Sequence, residues 1–227
     1  MKQKLLLLHG ALGSAEQLFP LRDILEPHFD IMVYTFNHHG KKAVHQQAFT
    51  IETLARELSD FLREQITEPI PVFGYSMGGY VALWIAAKEP ELFSKVITLG
   101  TKVNWNPATA EHETKFLQPQ KIEEKVPSFA AYLLQLHGSN WKQLVESTAN
   151  MMHTLAQQHL THNDLKQISQ PVLMCLGDGD NMVTKEETQN ATLSLPNGKF
   201  HLLENTVHPI EKVNHHLISQ TINAFLN

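Results

Sequence analysis

The sequence holds a single cysteine, Cys175, so an intramolecular disulfide framework is excluded and a reducing compartment is allowed. It has no apolar stretch long enough to span a membrane. The run Leu5 to Leu8 follows two lysines, but it is too short for the hydrophobic region of a signal peptide and ends in His9-Gly10. With no export or anchoring signal, the expected location is the cytoplasm. No block of like charge reads as a tail or a membrane-binding patch. The 23 acidic against 18 basic residues leave a formal charge of -5, which argues against a nucleic-acid footprint. There is no H-E-x-x-H or C-x-x-C spacing, so no metal site is expected despite 14 histidines. No G-x-G-x-x-G or P-loop follows the first apolar run, so nucleotide binding is not expected either.

What is present is a chain of 227 residues, 42% of them apolar, enough for one domain with a sizeable core. Six short runs read as buried strands: Lys4 to Leu8, Asp30 to Phe36, Pro69 to Phe73, Lys95 to Leu99, Pro171 to Leu176 and Lys199 to Leu203. Most are nearly continuous apolar runs, as expected of parallel strands covered on both faces. Helical patterns lie between them. Ser14 to Gln17 and Thr184 to Glu187 have the form of capping boxes. Ile51, Leu54, Leu58, Phe61, Leu62 and Ile66 recur at helical spacing, and Pro209 suits the first turn of a last helix ending near Leu226.

This alternation predicts an α/β fold, a doubly wound and mostly parallel sheet of about six strands. From Lys102 to Gln167 no convincing strand occurs, and the segment is too long for a loop. It reads as an inserted helical cap, dividing the chain into a core of residues 1–101 and 168–227 and a cap of residues 102–167.

Gly74-Tyr75-Ser76-Met77-Gly78 matches G-x-S-x-G, with an apolar strand leading in and a helical run leading out. That context marks a nucleophile elbow, a sharp turn that exposes the serine hydroxyl above the sheet. Bulky residues at Gly74 and Gly78 would clash, and the hydroxyl would sit at a helix N-terminus that favours developing negative charge. Such a serine needs a base. His208 follows the last strand on a loop at the sheet's C-terminal edge, whereas His201 reads as a packed strand residue and His215 and His216 fall in the last helix. The acid should follow the fifth strand. Asp180 has room to reach the imidazole, and Asp178 beside Gly179 suits a turn. The oxyanion hole needs two backbone donors, for which Met77 and Ala11 are the candidates. His38 and His39 could line the crevice mouth, though a solvated turn is the default there.

Together, Leu8-His9-Gly10, Gly74 to Gly79, Gly177-Asp178-Gly179-Asp180 and Val207-His208 make the sequence resemble the α/β-hydrolase superfamily, in its small esterase-like branch. The resemblance covers nearly the whole chain outside the cap and implies a fold lacking the first two strands. It maps the oxyanion donor to Ala11 and the acid to Asp180. It departs where relatives carry glycine before the histidine, here Val207, and in Phe36 to Lys42, where only Gly40 is shared. A serine at the elbow argues against dehalogenase or epoxide hydrolase chemistry. The implied activity is cleavage of an ester-type bond through an acyl-enzyme on Ser76, with no cofactor and a small-molecule substrate as partner, by a monomer or homodimer. A carbon-carbon hydrolase or lyase on the same triad, or a non-catalytic receptor of the same fold, is the alternative. The aromatics of the cap favour a small apolar acyl group. The candidate substrate-binding residues are Leu12, Tyr75, Trp105, Phe129 and Tyr132.

Overall fold

The computed structural model describes residues 2–42 and 48–227. Six strands, β1 (Lys4–Leu8), β2 (Asp30–Tyr34), β3 (Ile70–Tyr75), β4 (Phe93–Leu99), β5 (Val172–Gly179) and β6 (Gly198–Val207), form one sheet in the order β2-β1-β3-β4-β5-β6. Every pairing is parallel. The first strand shows why the runs are continuously apolar. Leu5 and Leu7 enter one core layer and Leu6 and Leu8 the other, and all four are fully buried. Alternate side chains of a strand point to opposite faces, so in a sheet covered on both sides both sets of side chains are predominantly apolar.

One face is covered by α1 (Phe19–Leu25) and α10 (His215–Leu226), the other by α2 (Ile51–Gln65), α3 (Met77–Lys88) and α9 (Lys185–Ser194). In α2 the buried positions Ile51, Leu54, Leu58 and Leu62 form one stripe, and Thr50 Oγ1 caps the helix by accepting the Thr53 N–H. Between β4 and β5 lie only helices: α4 (Pro107–Thr114), α5 (Pro119–Lys125), α6 (Pro127–His137), α7 (Trp141–Leu155) and α8 (His162–Lys166). Proline at the first position of α4, α5 and α6 suits a site whose N–H would be unpaired anyway. Ile122, Leu133, Trp141, Leu144 and Val145 form a separate small core with Leu12, while Trp105, Met151 and Leu155 join the main one. No helix among the described residues is long and apolar enough to cross a membrane.

Several local expectations are corrected. Ser14 does not cap a helix with its side chain; its hydroxyl goes to Glu16, and a 3-10 turn (Ala15–Leu18) precedes α1. Gln17, the other half of the expected box, instead accepts the Gly10 N–H and donates to Glu211. Thr184 does cap α9, but the Glu187 carboxylate is taken by the Val103 and Asn104 N–H groups, so the reciprocal bond is missing. Pro209 opens only a 3-10 turn (Ile210–Lys212), because Asn214 caps α10 by accepting from His216 and Leu217. β6 runs four residues past Leu203, to Val207. Its register with β5 shifts between Gly177 and Gly179, where Asp178 Oδ1 accepts the Thr206 N–H. Asp178 is thus a strand residue that ties the two ends together, not a turn residue.

A Cβ at Gly177 would lie 2.1 Å from the Thr206 carbonyl oxygen, which is backbone and has nowhere to go. Gly177→Ala is therefore expected to cost about 2–3 kcal/mol of unfolding free energy, measured by urea denaturation. A loss under about 0.5 kcal/mol would show that the β5–β6 junction is not tightly set.

Candidate active site

The turn between β3 and α3 forces Ser76 to φ 51° and ψ -115°, a conformation that a side chain takes only when its surroundings hold it. The Ser76 N–H donates to Leu99 O at 2.8 Å, and its carbonyl accepts from Thr101 Oγ1 at 3.1 Å. The flanking glycines are steric requirements. A Cβ at Gly74 would meet the Gly79 backbone at 2.5 Å, and one at Gly78 would meet the Leu8 and His9 carbonyl oxygens at 2.6 Å. So α3 starts pressed against the end of β1, and the serine stands at the crevice where the strand order reverses.

His208 and Asp180 reach this point from the extended ends of β6 and β5. His208 Nδ1 lies 2.8 Å from Asp180 Oδ2, and Nε2 lies 3.3 Å from Ser76 Oγ. Asp180 Oδ1 accepts the Met182 and Val183 N–H groups at 2.8 and 2.9 Å. Burial opposes ionisation of Asp180, but the His208 contact and these two N–H groups outweigh it, and the carboxyl sits below its usual range. An ionised carboxylate can only accept, so Nδ1 of His208 carries the ring proton and Nε2 presents a lone pair to the hydroxyl. Two more residues fix the imidazole. Tyr75 Oη donates to the His208 carbonyl at 2.9 Å. Gly100, at φ +60°, leaves the ring its space; a Cβ there would stand 3.1 Å from both Nδ1 and the Asp180 carboxylate.

On the other side of Ser76, Gly10 to Gly13 make a tight turn closed by Gly13 N–H to Gly10 O at 3.2 Å. Phe36 N–H donates to His9 Nε2 at 3.1 Å, so the His9 proton is on Nδ1 and donates to the Gly10 carbonyl at 2.7 Å. Because the peptide is planar and trans, holding that carbonyl sends the Ala11 N–H the opposite way. Ala11 and Met77 line the same cavity as Ser76.

That cavity is about 40 Å³ and is lined by Trp105, Met151, Met152 and Leu155, with Ile51, Tyr80 and Lys102 also at its wall. Of the expected substrate contacts, Trp105 is there. Leu12 is instead buried in the small core of the inserted helices, and Tyr75 lies beneath His208, bound to its backbone. Phe129 and Tyr132 stack on each other on α6, each 37% exposed, and neither lines the cavity at Ser76; Tyr132 lines a separate cavity with Glu16, Gln17 and Glu211. Lys102 had no motif to announce it. It follows β4 and sits between Glu113 and Glu187, 3.6 Å from each.

His38 and His39 are no solvated turn, since both are buried. His39 packs against His9 and His137, with ring centroids 4.9 and 6.0 Å apart. His201, expected to be packed, is exposed on edge strand β6. No group of acidic, histidine or cysteine side chains among the described residues could hold a metal ion. A larger cavity of about 920 Å³ lies at the opposite, N-terminal ends of β1 and β3 and contains no comparable constellation.

The thioesterase-domain family model matches residues 3–190. The chain is 23% identical over 257 aligned positions to an uncharacterised hydrolase of Bacillus subtilis, covering 99% of this chain and 90% of that one. It is 25% identical over 221 positions to a pimeloyl-(acyl-carrier protein) methyl ester esterase of Xylella fastidiosa, covering 88% and 84%. The solved enol-lactonase of Burkholderia xenovorans shares the fold, with a TM-score of 0.82 at 16% identity over 100% of this chain and 92% of that one.

The buried imidazoles make stability depend on pH. Burial lowers the His9 pKa from 6.5 to about 4, and it lowers those of His39 and His137 as well. With folded pKa values below the unfolded one, protons bind first to the unfolded chain. The stabilisation is complete above pH 6.5 and is lost as pH falls from there towards the folded values. At pH 5 His9 alone accounts for about 2 kcal/mol. Urea denaturation is expected to show unfolding free energy falling steeply between pH 6.5 and 4; a flat profile would contradict the neutral, buried state of these rings.

Proposed function

The chain belongs to the thioesterase-domain family, within the α/β-hydrolase superfamily, and from that premise we propose that it is a serine hydrolase cleaving ester-type bonds through an acyl-enzyme on Ser76. The observation that carries this reading is the unbroken line of contacts from Asp180 through His208 to Ser76, at 2.8 and 3.3 Å.

In the proposed mechanism Ser76 Oγ attacks the acyl carbonyl while His208 Nε2 takes its proton. Asp180 keeps the imidazole in the required tautomer and stabilises the imidazolium. The carbonyl oxygen, now negative, accepts from the Ala11 and Met77 N–H groups, an effect worth about 3 kcal/mol per donor in comparable sites. His208 then protonates the departing alcohol or thiol, and a water repeats the cycle to free the acid. Met77 is the first residue of α3, so the helix dipole adds to the same stabilisation.

Residues 102–167 act as a cap over a core of 1–101 and 168–227. The apolar wall of Trp105, Met151, Met152 and Leu155 favours a small apolar acyl group. A thioester is as suitable as an oxygen ester, in keeping with the family and with the esterase relative, whose named substrate is carried on acyl-carrier protein. The cavity is small against the roughly 300–1,000 Å³ of ordinary ligand sites, and in this reading the cap shifts to admit the substrate. The reading includes a cytoplasmic location and a monomer or homodimer.

With short-chain p-nitrophenyl esters and acyl thioesters, Ser76→Ala is expected to lower kcat by about 10³-fold or more while the protein stays folded. Undiminished turnover would remove Ser76 from the chemistry. Loss of carbon-carbon cleavage with no ester or thioester turnover would point to a lyase, and tight binding without any turnover to a receptor.

A further inference from the structure

The turn that carries Ala11 is held from an unexpected direction. His137 is the last residue of α6, in the inserted segment, yet its imidazole is buried between two loops of the sheet's C-terminal edge. Gly40 N–H donates to His137 Nδ1 at 2.8 Å. The ring proton must then sit on Nε2, which donates to the Leu12 carbonyl at 2.9 Å. Burial keeps the ring neutral by lowering its pKa, so that Nδ1 can go on accepting.

Leu12 is the residue after Ala11, and its backbone is at φ 58°. A leucine in this left-handed region is strained and stays there only when its surroundings enforce it. The enforcement comes from the insert twice over. His137 holds the Leu12 carbonyl, and Ile122, Leu133 and Trp141 pack around its side chain. His9 holds the Gly10 carbonyl, on the other side of Ala11, from within the sheet. The Gly10–Gly13 turn is therefore clamped at the two residues flanking Ala11, at Gly10 by the core and at Leu12 by the insert.

We propose that His137 is a positioning residue for the oxyanion hole, joining the inserted helix α6 to the Leu12 carbonyl so that the Ala11 N–H is correctly aimed only while the insert is docked. This rests on the serine-hydrolase reading above. It assigns the insert a second task besides covering the substrate: movement of the insert away from Ser76 also releases the turn, and re-docking completes the hole around the bound acyl group. A neutral imidazole suits the task because it offers one acceptor and one donor on separate edges. Leucine offers neither, whereas the glutamine amide offers both.

The test compares His137→Leu and His137→Gln with the unmodified protein and Ser76→Ala. H137L is expected to lower kcat by about 10–100-fold with KM changed less than about threefold, the pattern of an interaction made in the transition state. Affinity for a trifluoromethyl ketone, which would add to Ser76 as an oxyanion, should fall by the same factor as kcat/KM. H137Q should recover most of both. If H137L does not fold, His137→Met supplies the same comparison with an unbranched side chain. A lowered melting temperature with kcat and ketone affinity unchanged would mark a structural residue and overturn the proposal. Full activity in Ser76→Ala would instead overturn the hydrolase reading itself, so the two failures are distinguishable.

Discussion

The site depends on one hydrogen bond, between His208 Nδ1 and Asp180 Oδ2 at 2.8 Å. It decides where the imidazole proton resides and therefore, in the proposed mechanism, whether Nε2 can receive another from Ser76. A buried carboxylate would be costly if left alone, and here it is satisfied on its other oxygen by two consecutive backbone N–H groups. The sheet serves this bond. β5 and β6 remain paired, through a register shift, until their ends stand side by side above β4. Gly100 and Gly177 are empty of side chains where a Cβ would push the partners apart.

Around that bond the molecule concentrates backbone strain. Ser76, Leu12 and His38 take positive φ without being glycine. Each is held by neighbours that bring their own constraints. Ser76 is pinned by Leu99 and Thr101, and Leu12 by His137 and the insert's core. The histidines behind the Gly10–Gly13 turn do work that water would do in an open site. They supply single donors and acceptors to backbone groups in a space from which solvent is excluded. Their neutrality follows from the burial that makes them useful.

Much of the fold was legible because its signals are local or periodic. Four leucines ending in His9-Gly10 give the bounds of β1, and spacing and glycines give the strand-turn-helix around Ser76. What was not legible depended on residues distant in sequence. Gln17 left its expected cap for Gly10 and Glu211, and Glu187 left its own for Val103 and Asn104. No local pattern carries such competition. The same holds for the site. Order and context single out Ser76, His208 and Asp180, whose side chains meet at 2.8 and 3.3 Å, but Lys102 and the bridging His137 lie in no motif. Phe129 and Tyr132 stack on α6 and do not line the small cavity at Ser76, a placement no pattern in the sequence decides, because aromatic residues on a short helix look alike whichever way they face. His38-His39 has the composition of a polar turn, and it is buried by residues distant in sequence, Phe49 and His137 among them, together with His9 and Phe36.

The central claim is that His208 activates Ser76, and covalent trapping with an alkyl fluorophosphonate tests it most directly. The account expects one phosphonyl group per chain, located by peptide mass spectrometry on Ser76, with complete loss of activity and a labelling rate that drops by about 10³-fold or more in His208→Gln. Labelling at another residue, or an equal rate with the imidazole removed, would contradict it.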